Sequence, residues 1–151
     1  MNGYYYPYIF GLRNLQTSES NFPIANSKGV CKFNLASADD IYYLLWPTLE
    51  VNETVQVKGV IYSDNAGEPD ALIAVTNELV GTVVGWNALP FASYVSLLAG
   101  DYWLGLIGTE NVSTYSQYVA NGTLKYNADT YADGPSDPFG TPSLIHKYFQ
   151  W

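Results

Sequence analysis

Charge is what this chain has least of. Only 13% of its 151 residues are Asp, Glu, Lys or Arg, against 48% hydrophobic, so solubility rests on Asn, Ser, Thr, Gly and Tyr. That balance suits a protein built for the outside better than a cytosolic enzyme. The six basic residues, Arg13, Lys28, Lys32, Lys58, Lys125 and Lys147, stand one at a time against fourteen acids, for a net charge of −8. Binding phosphates by counterion release needs clustered basic residues, so nucleic acid is not expected as a partner. The single cysteine, Cys31 in the apolar "GVCKF", excludes an intrachain disulfide scaffold and reads as a buried small hydrophobe. The single histidine, His146, comes with no Gly-x-Ser-x-Gly elbow or Cys-His pairing, which leaves nucleophilic hydrolysis without its base. One His and one Cys do not supply a zinc ligand set. The glutamates Glu19, Glu50, Glu53, Glu68, Glu78 and Glu110 lie in or beside turn segments, where they read as solvated charge and not as the facing pair of a glycosidase. The chain is expected to be non-catalytic.

A secretory signal and helical periodicity are missing too. "MNGYYYPYIFGLRN" has no basic n-region, no Leu/Ala-rich stretch and no small-residue cleavage site, and so reads as no signal peptide. Residues 79–100, "LVGTVVGWNALPFASYVSLLAG", run 22 residues without a charge, long enough for a membrane span. Thr82, Asn87, Pro90, Ser93 and Ser96 interrupt them and no basic residues flank them, so membrane insertion is not expected. "ASADDIYYLLW" offers Ser37 as a helix N-cap, but Tyr-Tyr followed by Trp-Pro favours an extended segment.

What is present is alternation. "ETVQVKGVIYSD" sets Val55, Val57, Gly59 and Ile61 against Gln56, Lys58, Val60 and Tyr62, the period of two of a sheet strand. "DALIAVTNE", "DYWLGLIGTE", "TYSQYVA", "GTLKYNA" and "SLIHKYFQW" are similar short runs, separated by the turn chemistry of "SDNAGEPD", "AGD", "NG" and "ADGPSDPFGTP". The length suits one domain, residues 1–151, with residues 1–22 as a Tyr-rich N-terminal strand or arm. The expected fold is all-β, an antiparallel two-sheet β-sandwich of jelly-roll type with roughly 8–10 strands and little helix.

Four segments in order, "VKGVIYSDNAGEPDALIAVTNE", "GWNALPF", "VSLLAGDYWLGLIG" and "YNADTYADGPSDPFG", resemble the wording of β-sandwich domains, jelly-roll and similar to carbohydrate-binding modules, found in bacterial and archaeal surface and secreted proteins and in phage structural proteins. The resemblance covers about residues 28–149. It implies a strand, turn and returning strand for the first piece, and adhesion or carbohydrate recognition without a catalytic site. The residues give the same local reading unaided. In "SDNAGEP", Asp64 and Asn65 bond nearby backbone, Gly67 takes a positive φ, and Pro69 stops further pairing. "AGDYWLGLIG" sends Tyr102, Leu104 and Leu106 to one face and Trp103, Gly105 and Ile107 to the other, as a central strand requires.

The aromatic excess supplies the site candidates: fourteen Tyr, four Trp and six Phe, 16% of the chain. Trp103 and Phe33 read as packing residues. Tyr115, Tyr118, Tyr126 and Tyr131, in polar contexts, are candidates for an exposed ligand platform on which sugar rings stack. Tyr4, Tyr5, Tyr6 and Tyr8 form a second concentration, read as a first strand or as an arm against a neighbouring subunit. Asp129, Asp133 and Asp137, four residues apart, are a candidate structural calcium site. They do not make an EF-hand, because Tyr131 and Gly140 occupy its third and twelfth positions, and Pro135, Pro138 and Pro142 mark the same stretch as a braced turn. Sequons at Asn52, Asn111 and Asn121 matter only in an exported chain.

The functional expectation is a recognition β-sandwich at a virion surface or outside the cell. As a virion structural component it decorates a capsid or belongs to a tail or fibre, its partners being other subunits and glycans. The alternatives are a carbohydrate-binding module cut from a secreted enzyme or cell-surface protein, and an extracellular filament subunit.

Overall fold

The computed structural model describes residues 18–22, 24–118, 124–145 and 147–149. The described strands are β1 (Ser18–Phe22), β2 (Ser27–Leu35), β3 (Asp39–Thr48), β4 (Asn52–Asn65), β5 (Glu68–Val75), β6 (Leu79–Thr82), β7 (Gly85–Leu97), β8 (Gly100–Gly108), β9 (Val112–Tyr118), β10 (Leu124–Ala128), β11 (Ser143–Ile145) and β12 (Lys147–Phe149). One turn of 3-10 helix, Tyr131–Asp133, is the sole helical element among them. Twelve strands against the expected eight to ten reflect β6, β11 and β12, three or four residues each, too short to show a period of their own.

The strands pair antiparallel into two sheets. One has the order β1-β9-β3-β7, with β12 also pairing β9; the other runs β11-β10-β2-β8-β4-β5, with β6 also pairing β4. Between them lies one core, built from Leu44, Trp46, Leu89, Phe91 and Leu97 on the first sheet and Cys31, Val55, Val57, Ile61, Leu104, Leu106 and Leu124 on the second. This is an all-β sandwich. "ASADDIYYLLW" is extended in β3 as expected, and the charge-free residues 79–100 run through β6 and β7. Among the described residues no helix is long and apolar enough to cross a membrane.

β8 shows how a strand with two apolar faces is used. It is flanked by β2 and β4, and its Leu104 and Leu106 face the inter-sheet core. Trp103 and Ile107 join a second cluster with Val30, Val60, Tyr62, Tyr131 and Phe139. Apolar alternation in both phases therefore marks a sheet covered on both sides, by the other sheet within and by the segment 129–140 without.

The "SDNAGEP" turn closes the β4–β5 hairpin with a two-residue loop: Asn65 pairs with Glu68, while Ala66 has φ 53° and Gly67 φ 88°. Positive φ at both central positions matches the right-handed twist of hairpin strands. Asp64 braces it, accepting from Gly67 N–H and Trp103 Nε1–H and pairing with Lys32 at 3.1 Å. Burial pushes the Asp64 carboxyl up, but Trp103, Lys32 and Gly67 together hold it below the ordinary carboxylate value. Pro69 does not end the pairing as expected. It sits within β5 opposite Asp64, which is allowed because β5 is an edge strand and one missing N–H need not break its single ladder. Alanine is poorly suited to the left-handed region that Ala66 occupies, so Ala66→Asn is expected to stabilise the fold by about 0.5–1 kcal/mol, measured as a raised urea midpoint at unchanged slope.

Candidate functional site

The segment 129–140 folds back over the outer face of the seven-stranded sheet. Asp129 N–H bonds the Asn26 carbonyl, Gly134 N–H closes the 3-10 turn on Tyr131, and Phe139 N–H bonds the Asp70 carbonyl on β5. Beneath it the Lys28 ammonium is wholly buried, 2.6 Å from Asp129 Oδ2, donating to Ser136 Oγ and lying 4.7 Å from the Phe139 ring centroid. Asp129 also accepts from Ser136 N–H and Oγ–H. Burial alone raises the Asp129 carboxyl; Lys28 and Ser136 more than offset that, and its pKa lies below the usual carboxylate range. Phe139 meets Tyr62 edge to face at 5.0 Å, and Tyr62 OH donates to the Ser136 carbonyl.

These bonds decide what the three acids do. Asp129 neutralises Lys28. Asp137 accepts from Leu72 N–H on β5 at 2.9 Å, fastening the segment to the sheet edge. Asp133 is exposed. No group of three His, Cys, Asp or Glu among the described residues is placed to hold a metal ion, so the even spacing in sequence does not become convergence in space.

Of the four tyrosines expected on an exposed platform, Tyr126 and Tyr131 are described by side chain, and neither is exposed. Tyr131 is a correction: it is 8% exposed, its OH donating to Glu78 Oε2 at 2.7 Å under the Lys58 ammonium, 5.1 Å from its ring centroid. Burial, and then the Glu78 carboxylate, push its phenol up, keeping it protonated. Tyr126 is half-buried in β10, opposite Gly29. Tyr115 and Tyr118 lie in β9, opposite Glu19 and Lys147. Tyr4, Tyr5, Tyr6 and Tyr8 lie outside the described residues, as does His146.

Among the described residues an exposed aromatic surface lies on the outer face of β3 and β7. Here Tyr43 pairs with Pro90, Leu45 with Ala88 and Pro47 with Trp86, while the alternate residues Leu44, Trp46, Leu89 and Phe91 fill the core. Between the pairs Ile41–Val95 and Tyr43–Pro90 the register slips: Tyr42 alone on β3 faces residues 91–94 on β7. A bulge of this kind re-aims side chains, and it brings Tyr42 and Tyr94 together at 5.9 Å between ring centroids. Tyr42 is 60%, Tyr94 56%, Trp86 41% and Tyr43 37% exposed. At the bulge end Ser96 Oγ–H donates to Asp40 Oδ1, and Asp39 stands beside it. Among the described residues β3 is the one ladder partner of β7, and the other edge of β7 takes a backbone bond from Asn77 N–H to the Pro90 carbonyl. β7 carries no charge along its 13 residues.

No protein-family model, curated protein or solved structure matches the chain. The site therefore rests on geometry alone. The β3–β7 face was within reach of the sequence in one respect: residues 79–100 are apolar in both phases of the alternation, as a strand needs either when buried on two sides or when one apolar face stands open. What covers a face is not written in the strand itself.

Proposed function

We propose that this β-sandwich is a non-catalytic structural subunit that joins a larger assembly through the outer face of β3 and β7, as a component of a virion surface or another extracellular structure. The observation that carries the proposal is the exposed aromatic surface of Tyr42, Tyr43, Trp86 and Tyr94. A chain with net charge −8 repels its own copies, and contact is least opposed on a face where charge is confined to Asp39 and Asp40 at one end. Aromatic side chains exposed side by side on a sheet are a usual mark of an interaction surface. A jelly-roll strand arrangement and a place in a phage or adhesive surface structure are part of this proposal.

A second reading is favoured by one local feature: the Tyr42–Tyr94 pair beside the Asp40–Ser96 hydrogen bond offers a stacking surface next to hydroxyl-binding groups, as a carbohydrate-binding module needs. The two readings part on two measurements. For the assembly reading, sedimentation velocity of the whole chain shows concentration-dependent self-association, and Tyr94→Lys weakens it by roughly 30-fold, the effect of losing an interface anchor of about 2 kcal/mol, with the melting temperature unchanged. A monomer at all concentrations that binds a sugar on a glycan array, with binding lost in Tyr94→Ala, decides for the second.

A further inference from the structure

Lys28 and Asp129 hold between them the atoms of an amide and one water. Lys28 Nζ stands 2.6 Å from Asp129 Oδ2, with no exposed surface on the lysine side chain and 10% on that of the aspartate. The two carboxylate oxygens are held differently. Oδ1 accepts from Thr130 N–H at 3.0 Å, while Oδ2 accepts from the ammonium, from Ser136 N–H at 2.8 Å and from Ser136 Oγ–H at 2.8 Å. Ser136 Oγ in turn accepts from Lys28 Nζ at 2.6 Å. One hydroxyl therefore bridges the amine and the oxygen that faces it. The wholly buried Phe139 ring lies 4.7 Å from Nζ and presents it with an aromatic surface instead of water.

We propose that Lys28 and Asp129 condense within the folded chain into an isopeptide bond between Nζ and Cγ, releasing one water. The ammonium passes a proton to Ser136 Oγ as the hydroxyl proton moves on to Asp129 Oδ2, which leaves a neutral amine beside a carboxylic acid. The Nζ lone pair then forms the bond to Cγ, and the carbonyl π pair moves onto Oδ1, where Thr130 N–H faces the developing charge. A second proton leaves Nζ through the same hydroxyl for Oδ2. The Cγ–Oδ2 bond breaks, Oδ2 departs as water past the exposed Ser136, and the carbonyl re-forms at Oδ1. Nζ keeps one hydrogen as the amide N–H. Holding amine and carboxyl in contact replaces a bimolecular step by an intramolecular one, and the neutral product removes the cost of keeping two charges out of water. Burial opposes ionisation of Asp129, but Lys28 and Ser136 together keep the carboxyl ionised. The neutral pair is thus a minor form and the reaction is slow: a freshly folded chain carries the ion pair, with the acid sensitivity of one, and an aged chain carries the amide. The bond joins residues 101 apart, a covalent closure that the single cysteine does not provide.

Intact-mass spectrometry of the whole chain, held folded at neutral pH for days, reads the outcome. The expected result is a species one water lighter than the sequence mass, growing with time, while the same chain held in urea keeps its full mass. Tryptic digestion of the lighter species is expected to give one branched peptide joining Lys28 to Asp129, uncut after Lys28. Ser136→Ala keeps the backbone bonds of residue 136 and loses the hydroxyl. It is expected to fold, by circular dichroism, and to form the link roughly 100-fold more slowly, the effect of losing a positioned proton carrier. A folded wild-type chain that keeps its full mass throughout overturns the proposal. So does a lost water that maps to a succinimide at Asp133–Gly134 instead of a branched peptide. Linking at the wild-type rate in Ser136→Ala overturns the proton route through its hydroxyl.

Discussion

Asp129→Ala is expected to cost about 3–5 kcal/mol of unfolding free energy at pH 7, the effect of stranding a buried charge. Lys28 has no exposed side-chain surface, and its other contacts are the Ser136 hydroxyl and the Phe139 ring, neither of which carries the compensating charge. The pair is not itself a large source of stability, because bringing both charges out of water offsets most of their attraction. Lys28→Met combined with Asp129→Ala is therefore expected to be less destabilising than Asp129→Ala alone. Urea unfolding of the three proteins checks this, and equal losses in the single and double variants would falsify the stranded-cation account. Acid sensitivity follows from the same pair. The folded-state pKa of Asp129 is depressed, so its contribution is present above the unfolded carboxylate value near 3.9 and is lost as pH falls through the folded value. Asp64 shifts in the same direction. Wild-type stability is expected to drop below about pH 4, with a shallower drop in Asp129→Asn.

Gly105→Ala is expected to abolish folding. Gly105 lies mid-strand in β8 opposite Val30, and a Cβ there falls 1.9 Å from the Gly29 carbonyl oxygen and 2.7 Å from Val30 Cα. Both are backbone atoms of the adjacent strand, which no rotamer change moves aside. Relief requires β2 and β8 to separate at the centre of the sheet, where both faces are packed. The cost exceeds about 4–5 kcal/mol, the range of the most damaging single substitutions. Soluble yield and near-ultraviolet circular dichroism read the outcome. Gly67→Asn is the control: its Cβ meets nothing within 4 Å, Asn tolerates positive φ, and a folded protein is expected.

Local features were legible in the sequence and long-range ones were not. The alternation in "AGDYWLGLIG" marks β8 as a strand packed on both sides, because burial on each face leaves its own phase in the residues. "SDNAGEP" declares its turn for the same local reason. Tyr131 misleads because its polar neighbours describe a loop but not where that loop lies; it is buried only because residues 129–140 return across the sheet. Lys28 shows no sign of burial in "SKGVCKF", since its partner is 101 residues away. The β3–β7 site was missed for the converse reason: Tyr42, Trp86 and Tyr94 look like core residues in a run without charge, and only the layering of the sheets shows that no described segment lies over them.

That layering gives the sandwich a front and a back. The seven-stranded sheet is covered on its outer side by its own loop, fastened at Asp70, Leu72 and Lys28, while no described segment lies over the β3–β7 end of the five-stranded sheet. If the proposed assembly holds, a neighbour docking on the β3–β7 face leaves the covered side of the seven-stranded sheet turned to the solvent. A surface tiled by such copies would be uniform on its outside whatever the sequence of events that built it.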